Sequence, residues 1–592
     1  MESNPISEYQ NRLAARKAHA TALEQRATTI SNLRLIVFVI FALMLWLAIR
    51  GTVNAWLVLA PVGIFFALVV WHDRARQAVI RAQRAIALYE SGLARIDDRW
   101  QGFGRRGERF RNPQHVYAED LDLFGDQSLF QLLSAARTRM GEDTLAHWLL
   151  APSPAAEVLK RQSAVRELSG QLDFREQLAV CGDDIPADFD PEKLLAWAEG
   201  PELLHNNAIR IIAPILAVIS TVAIVLAFWK SFFLPAIIII AVEYVIHRHY
   251  RQHIQHVIHS VEGAGESLLL FSTLLKIIED ARFESEPLRQ LQQKVLQHHV
   301  AASRALKLFS TRVDLIESHE HLLLRTFNIA LLYELQAAFL MEAWRRRHGS
   351  EVRAWLEVVG EIEALASLAT YSYEHPADPF PEFSNNSAVF SGEALGHPLI
   401  PAARAVRNSV HLDATTRVLV VSGSNMSGKS TYLRTIGINA VLAMAGAPVR
   451  ANNLELTAIH LGSSLHIQDS LQTGRSGFAS ELDRLRDIMA LIDGAPLLFL
   501  LDELLHGTNS HDRLLGGQAL LRALVARGAI GVVTTHDLAI TEIPADLAPV
   551  VRNLHFEDHI EDGHMVFDYV LRDGPVTRSN ALELMRSIGL DV

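Results

Sequence analysis

The feature that most restricts this chain is Gly423-Ser-Asn-Met-Ser-Gly428-Lys429-Ser430-Thr431, which keeps the spacing GxxxxGK[ST]. It follows the apolar run Val418–Val421 and precedes a helical pattern over Thr431–Met444. Strand, glycine-bearing loop and helix in that order predict an α/β sheet whose loop wraps phosphate oxygens. The backbone amides converge on an anion, and the helix N-terminus adds its dipole. In this reading Gly423, Ser424, Asn425, Met426, Ser427, Gly428 and Thr431 form the cradle. Lys429 reaches the β/γ oxygens and the Ser430 hydroxyl ligates Mg²⁺.

Two later segments supply the groups such a loop needs. Leu497–Leu501 is an apolar strand ending in Asp502-Glu503. Asp502 is placed to hold Mg²⁺, and Glu503 to polarise an attacking water. Ile530–Val533 is another strand, followed by Thr534-Thr535-His536-Asp537, which puts His536 where a terminal phosphate is sensed. These residues together predict an ATPase, with ATP and Mg²⁺ as its ligands and Glu503, His536 and Lys429 as its catalytic groups. Leu514-Leu515-Gly516-Gly517-Gln518 looks like the LSGGQ signature of transporter ATPases. It lies after the acidic pair, where the transporter signature lies before it, so it reads as the start of a helix.

Composition bears on the rest of the chain. Hydrophobic residues make up 49% and charged residues 20%, and mean hydropathy is +0.15, so apolar residues must be concentrated somewhere. They lie in Leu35–Ile49 and Val53–Trp71, and again in Ile211–Trp229 and Phe232–Ile246. Each run is near the lower limit of the roughly 17–25 residues that span a bilayer. Trp46, Trp56, Trp71 and Trp229 sit near run ends, as interfacial tryptophans do. The runs predict two membrane hairpins. Arg12, Arg16, Lys17, Arg26 and Arg34 precede the first, Arg74, Arg76, Arg81 and Arg84 follow it, and Arg248 and Arg251 follow the second. The tight turns carry only Arg50 and Lys230, so the positive-inside rule puts the bulk of a multi-pass inner-membrane protein in the cytoplasm. Glu243 is read as a carboxylate that reaches the interface, with a buried functional role as the alternative. Residues 1–32 do not have the pattern of a cleavable leader. The single cysteine, Cys181, allows no internal disulfide.

A net charge of -11 and a pI near 6.2 leave nucleic-acid contact to local basic faces. Arg105, Arg106, Arg109 and Arg111 beside Trp100, Phe103 and Phe110 are one candidate, and Arg345-Arg346-Arg347-His348 another. Both also suit a membrane-facing or solvated role. His249, His253 and His256 share a helical face beyond the fourth run and read as an interfacial stripe, since no carboxylate completes a metal set.

Several stretches together resemble the DNA mismatch-repair MutS family. GSNMSGKSTYLRTIG resembles its phosphate loop, with Asn-Met inside. Leu501-Asp502-Glu503 with Gly507-Thr508-Asn509-Ser510-His511-Asp512 resembles its Walker B and D-loop. Gly474-Arg475 and Ser476-Gly477-Phe478-Ala479-Ser480-Glu481 look like its signature stretch, and Pro575–Leu590 like its closing helix, with Ala581 in place of a glycine. Phe130–Ser169, including Arg161-Gln162, is similar to the start of its helical core, and residues 351–372 to its lever helix. The resemblance implies a homodimer with composite sites, in which Ser476 reaches the γ-phosphate held by the opposite protomer. It also implies Tyr569 on the nucleotide base and Asp469 as a further metal-site candidate. The family's adenine-stacking aromatic is replaced near Ala405 or Val406, before Asn408, and Ser470 stands where its second acid would be. No counterpart of its mismatch-reading domain is visible.

The expected fold is multidomain: an α-helical core with two transmembrane hairpins and a C-terminal α/β P-loop ATPase domain. The segments are an N-terminal cytoplasmic stretch 1–34, hairpin 35–71, basic connector 72–125, core 126–205, hairpin 206–249, core and lever 250–375, and ATPase 376–592. The expected function is ATP hydrolysis in a membrane-anchored dimer, coupled to binding mismatched, branched or other non-canonical DNA. The alternatives are a membrane-tethered protein scaffold that does not bind DNA and, less favoured, a transporter.

Overall fold

The structure, a computed structural model, describes residues 4–183, 190–204, 207–260, 265–296, 300–317, 331–385, 387–465, 477–493, 496–505, 509–561 and 564–576. The chain forms two compact units. One comprises Met1–Ala135, Thr144–Gln171 and Ala364–Val592, and the other Ala136–Asp143 and Leu172–Glu363.

The first unit is organised by ten strands among the described residues: β1 (Glu382–Phe383), β2 (Phe390–Leu395), β3 (Asn408–Leu412), β4 (Val418–Ser422), β5 (Asn453–Leu456), β6 (His460–Ser464), β7 (Leu497–Leu501), β8 (Ile530–Thr535), β9 (Val551–Glu561) and β10 (His564–Asp573). Six of them form a sheet in the order β10-β9-β4-β8-β7-β6, parallel except for the β9/β10 hairpin. Every residue of β4, β7 and β8 is buried. Their unbroken apolar character suits a parallel sheet covered on both faces, where alternation would leave polar groups unsatisfied. A smaller sheet, β1-β5-β2-β3, adjoins it in sequence. The helix Lys429–Ala445 is buried around most of its circumference and ends on Gly446 at φ 93°. A side chain there would meet Arg161, since a Cβ on Gly446 would lie 2.7 Å from the Arg161 Cβ.

That contact explains a difference from the segment boundaries expected above. Residues 144–171 pack with the α/β region rather than with the remaining helices. Arg161 lies over Trp148 at 4.1 Å, and buried Gln162 donates to the Pro381 carbonyl at 3.0 Å. The helix predicted over 351–372 is longer, Tyr333–Glu374, and its last residues belong to this unit.

The N-terminal region is a helical hairpin far longer than its apolar tip. The helices Pro5–Ile49 and Leu59–Ile96 pass uninterrupted through Arg34 and Trp71. The turn is wider than Arg50, Gly51 and Thr52 alone: Asn54 caps a 3-10 turn over Ala55–Val58 before the second helix starts. The hairpin is rooted at Glu374, whose carboxylate receives Arg95 at 2.6 and 2.7 Å and the Tyr9 hydroxyl at 3.3 Å. Gly92 makes this approach feasible, since a Cβ there would fall 2.5 Å from the Tyr9 ring.

The second unit is helical among its described residues. Trp197, Phe309 and Trp344 stack at its centre, with ring separations of 5.1 and 4.1 Å. Buried Glu363 accepts the backbone N–H groups of Arg137 and Thr138 at 3.2 and 3.1 Å. These would otherwise be orphan donors at the start of the helix Arg139–Leu150. Asn207–Lys230 and Leu234–His259 form its apolar hairpin.

Three helices among the described residues are long and apolar enough to cross a membrane: Pro5–Ile49, Trp56–Ile96 and Ala208–Lys230. The fourth expected span, in Leu234–His259, is not among them. Glu243 and the polar residues from His247 onward dilute its apolar stretch. Glu243 does not reach outward either: it is fully buried, against Ser220 of the preceding helix.

Candidate active site

The C-terminal ends of the parallel strands open onto a cleft of about 1150 Å³. The loop after β4 forms its floor. Met426 and Gly428 take left-handed backbone at φ 70° and 104°, so the loop folds back before the helix begins at Lys429. Asn425, Met426, Gly428, Lys429, Ser430 and Thr431 all line the cleft. The Ser424 and Ser427 hydroxyls are buried with no hydrogen-bond partner. The Lys429 ammonium donates to the Gly423 and Ser424 carbonyls at 2.9 and 2.8 Å. Burial pulls its pKa below the ordinary lysine value, while Glu503, Asp502 and Asp558 oppose that shift.

β7 lies two places from β4, with β8 between them. This order brings Asp502 and Glu503 to one edge of the cleft, with His536 behind Glu503 rather than on the lining. The Thr534 hydroxyl donates to Asp502 and accepts the Glu503 N–H, the latter at 3.1 Å. Glu503 has left-handed backbone at φ 46°, an uncommon state for a non-glycine residue. His536 Nδ1 lies 3.2 Å from Glu503 Oε1, so the two residues singled out separately in the sequence are direct neighbours. Glu481 accepts the Leu505 N–H at 2.6 Å, bracing the turn after the acidic pair.

Tyr569 closes another side. β10 carries a register shift between Phe567 and Leu571, and Tyr569 within it has φ 57°. Asn408 of β3 holds this bulge from both ends, donating to the Tyr569 carbonyl at 2.9 Å and accepting the Leu571 N–H at 2.8 Å. The ring then lies so close to the loop that a Cβ on Gly428 would be 3.1 Å from it. Sequence reasoning noticed Asn408 only as a neighbour of the altered positions. An asparagine, a poor strand former, at the first position of β3 is the signal that could have marked it. Ala405 and Val406 do line the cleft, as do Arg404 and His397. Burial, with a lesser contribution from Arg434, lowers His397 to about 4.

The residues fit a nucleoside triphosphate with a divalent cation. Buried, unpartnered hydroxyls face the loop, a lysine sits on its carbonyls, and two carboxylates with an exposed serine stand beside it. Asp469 and Ser476 lie outside the described residues, as does the closing segment from 577 onward.

The other candidates fare differently. Leu514–Gln518 lies within the helix Ser510–Ala526, as expected of the transporter-like decoy. Arg345 is no surface residue: it is buried, paired with Glu342 and donating to the Pro201 carbonyl at 2.7 Å. Arg346 pairs with Glu202, and His348 with Glu351. In the other cluster Arg111 pairs with Glu119, and Arg106 with Asp126 and Glu108. His249, His253 and His256 are exposed, and no metal-binding group of His, Cys, Asp and Glu occurs among the described residues.

The chain matches known protein families over two stretches. The sequence pattern of MutS domain V matches residues 419–591, and that of MutS domain III matches residues 115–369. The chain is 32% identical over 252 residues to the DNA mismatch repair protein MutS 2 of Halobacterium salinarum, covering 40% of this chain and 28% of that protein. It is 36% identical over 202 residues to the endonuclease MutS2 of Thermus thermophilus, covering 33% and 25%. It is 28% identical over 252 residues to the DNA mismatch repair protein MutS of Thermotoga maritima, covering 41% and 31%. The matches thus span between a quarter and a third of these relatives' length. Two domain patterns, the second of which contains the phosphate loop and the acidic pair that line the cleft, place the chain in the MutS family.

Proposed function

We propose that this chain is a membrane-anchored ATPase that works as a dimer and couples ATP hydrolysis to holding DNA. The observation that carries the ATPase reading is the convergence of Lys429, Ser430, Asp502 and Glu503 on one cleft, with His536 of the intervening strand's end beside Glu503. Lys429 and the loop amides hold the phosphates, and Ser430 with Asp502 would hold Mg²⁺ there. The metal, when bound, neutralises charge on the terminal phosphates. Glu503 accepts a proton from water aimed at the γ-phosphate, and His536, at 3.2 Å, orients that carboxylate. Glu503→Gln should keep ATP binding and slow turnover by about 10²–10⁴-fold. Wild-type turnover in this variant would remove Glu503 from the role.

Membrane attachment is supported by where the apolar surface lies. Leu35, Phe66, Trp56 and Trp71 at the tip of the first hairpin are exposed, as are Ile211, Phe228 and Trp229 in the second. Such a band costs free energy in water and gains it in lipid. The polar parts of the first hairpin, from Tyr9 to Arg34 and from Arg74 to Arg95, would act as a stalk about 30–40 Å long at 1.5 Å rise per residue. In this orientation the bulk of the chain is cytoplasmic, at the inner membrane.

DNA as the partner rests on the relatives, two of which are named for mismatch repair of DNA. A second reading, a protein-binding scaffold, is favoured by one finding: Arg106 and Arg111 of one arginine cluster, and Arg345 and Arg346 of the other, are paired with acids of the chain itself. Binding of duplex and branched DNA by detergent-solubilised protein, measured against salt, separates the two. DNA contact through phosphates makes affinity fall steeply with salt. Absence of binding at low salt would leave the scaffold.

A further inference from the structure

Asp120, Leu121 and Asp122 lie between the helix Leu59–Ile96 and the helix Leu129–Leu133, outside the cleft. Asp120 is nearly fully buried, and a buried carboxylate is costly unless its oxygens are used. Its Oδ2 accepts the Ser463 hydroxyl at 2.6 Å and the Leu465 N–H at 3.2 Å. The backbone adds a third tie, with the Ser463 N–H donating to the Val116 carbonyl at 2.9 Å. Asp120 therefore grips both neighbours of Ser464, at the end of β6. Ser464 lines the cleft, its hydroxyl is buried without a partner, and its carbonyl accepts the Asp502 N–H at 2.9 Å. A continuous path of short bonds thus runs from Asp120 through Ser464 to the backbone of Asp502. The next two residues fasten the same segment to the helix behind the phosphate loop. Leu121 fills the space left by Gly437, where a Cβ would come within 2.7 Å of its side chain. Asp122, with φ 50°, pairs with Arg434 at 2.6 Å.

We infer that Asp120 is a positioning residue for the metal-binding edge of the nucleotide site, setting the place of Asp502 and Ser464 without touching nucleotide itself. The inference rests on the ATP reading above. Its sense is physical. Asp502 follows the last residue of β7; its backbone N–H is held by the Ser464 carbonyl at the β6 end, while its carboxylate receives the Thr534 hydroxyl from β8. If that end moves by a few tenths of an ångström, the carboxylate moves relative to Ser430, while the phosphate loop does not. The helix Lys429–Ala445 is held independently by Leu121 and Asp122. Loss of the Asp120 carboxylate should therefore affect the dependence on Mg²⁺ far more than nucleotide binding in its absence.

The test uses full-length detergent-solubilised protein, ATP, and a titration of Mg²⁺, with direct binding and steady-state hydrolysis measured separately. Asp120→Ala should raise the Mg²⁺ concentration at half-maximal turnover by about 10–100-fold, the range found when groups supporting a metal ligand are removed. ATP binding without Mg²⁺ should stay within about twofold, because the loop's own contacts persist. Asp120→Asn keeps an oxygen that can accept the Ser463 hydroxyl, and should recover most of the loss. Ser463→Ala removes one of the two donors, and should shift the Mg²⁺ dependence in the same direction if Asp120→Ala does not fold. Variants that lower thermal stability but keep the wild-type Mg²⁺ dependence would overturn the inference alone. A wild-type protein that binds no ATP would overturn the ATP reading and this inference together.

Discussion

At the scale of single residues, the cleft separates groups whose chemistry was legible from groups whose importance depends on the fold. Lys429, Ser430, Asp502 and Glu503 were readable because their spacing is tied to a strand, a turn and a helix start. The pairing of His536 with Glu503 at 3.2 Å was not, since it requires β8 to lie beside β7. His397 is the clearest case of a residue that sequence left unmarked. Burial holds it near 4, against an unfolded value near 6.5, so the folded chain binds its proton less readily than the unfolded chain. Stability contributed by the neutral imidazole is therefore full above about pH 6.5 and is lost as pH falls toward 4, by about 3 kcal/mol in total. His397→Asn keeps an acceptor for the Leu399 N–H, which His397 accepts at 3.3 Å, and removes the titration. Thermal unfolding between pH 7.5 and 4.5 should fall more steeply for wild type than for this variant. Parallel curves would mean that His397 is protonated in the folded protein, or that its burial is relieved.

Among elements, strands were placed well and long helices poorly, for opposite reasons. β7 is Leu497–Leu501 in both sequence and structure, because an apolar run bounded by Pro496 and two acids has one reading. The helix Leu59–Ile96 was divided at Trp71, because hydropathy changes there while helix propensity does not. Similarly, the helices over 144–171 were grouped with the other helices although they pack on the α/β region. Local pattern reports a helix and its apolar face, but not which neighbour covers that face. The root of the N-terminal hairpin is such a long-range fact: Arg95 meets Glu374 at 2.6 Å across a separation of 279 residues. The Glu374 side chain is fully buried, so Arg95→Ala leaves a carboxylate uncompensated there and should cost about 3 kcal/mol. Adding Glu374→Gln should restore part of that stability, as unfolding of the two single variants and the double variant would report. A double variant that loses the sum of the two single losses would show that the pair is not coupled, and that the Tyr9 packing alone holds the root.

For the whole molecule, the question is how one protomer's cleft becomes a complete site. On the proposed ATPase reading, Lys429, the loop amides and a cation at Ser430 and Asp502 would approach the nucleotide from one protomer. In the MutS resemblance the missing donor is the partner's signature serine, for which Ser476 is the counterpart here. In that resemblance the hydroxyl stands at a helix N-terminus, which suits the task because helix N-termini attract anionic oxygens. On the proposed membrane anchoring, two chains would be confined to a thin layer, which would raise their effective concentration and favour pairing without a large permanent interface. The expected outcome is a homodimer with two composite ATP sites that tightens when ATP binds. Mixing Lys429→Ala protomers with Ser476→Ala protomers should then give heterodimers with one doubly damaged site and one intact site. Each parent alone has two damaged sites, so activity in the mixture should recover to a fraction of wild type. The measurement is ATP turnover after verified subunit exchange. A mixture that stays as inactive as its parents would place Ser476 in its own protomer's site, or require both sites to fire together. A cysteine crosslink from position 476 to the facing phosphate loop separates those outcomes, because only the second still crosslinks between protomers.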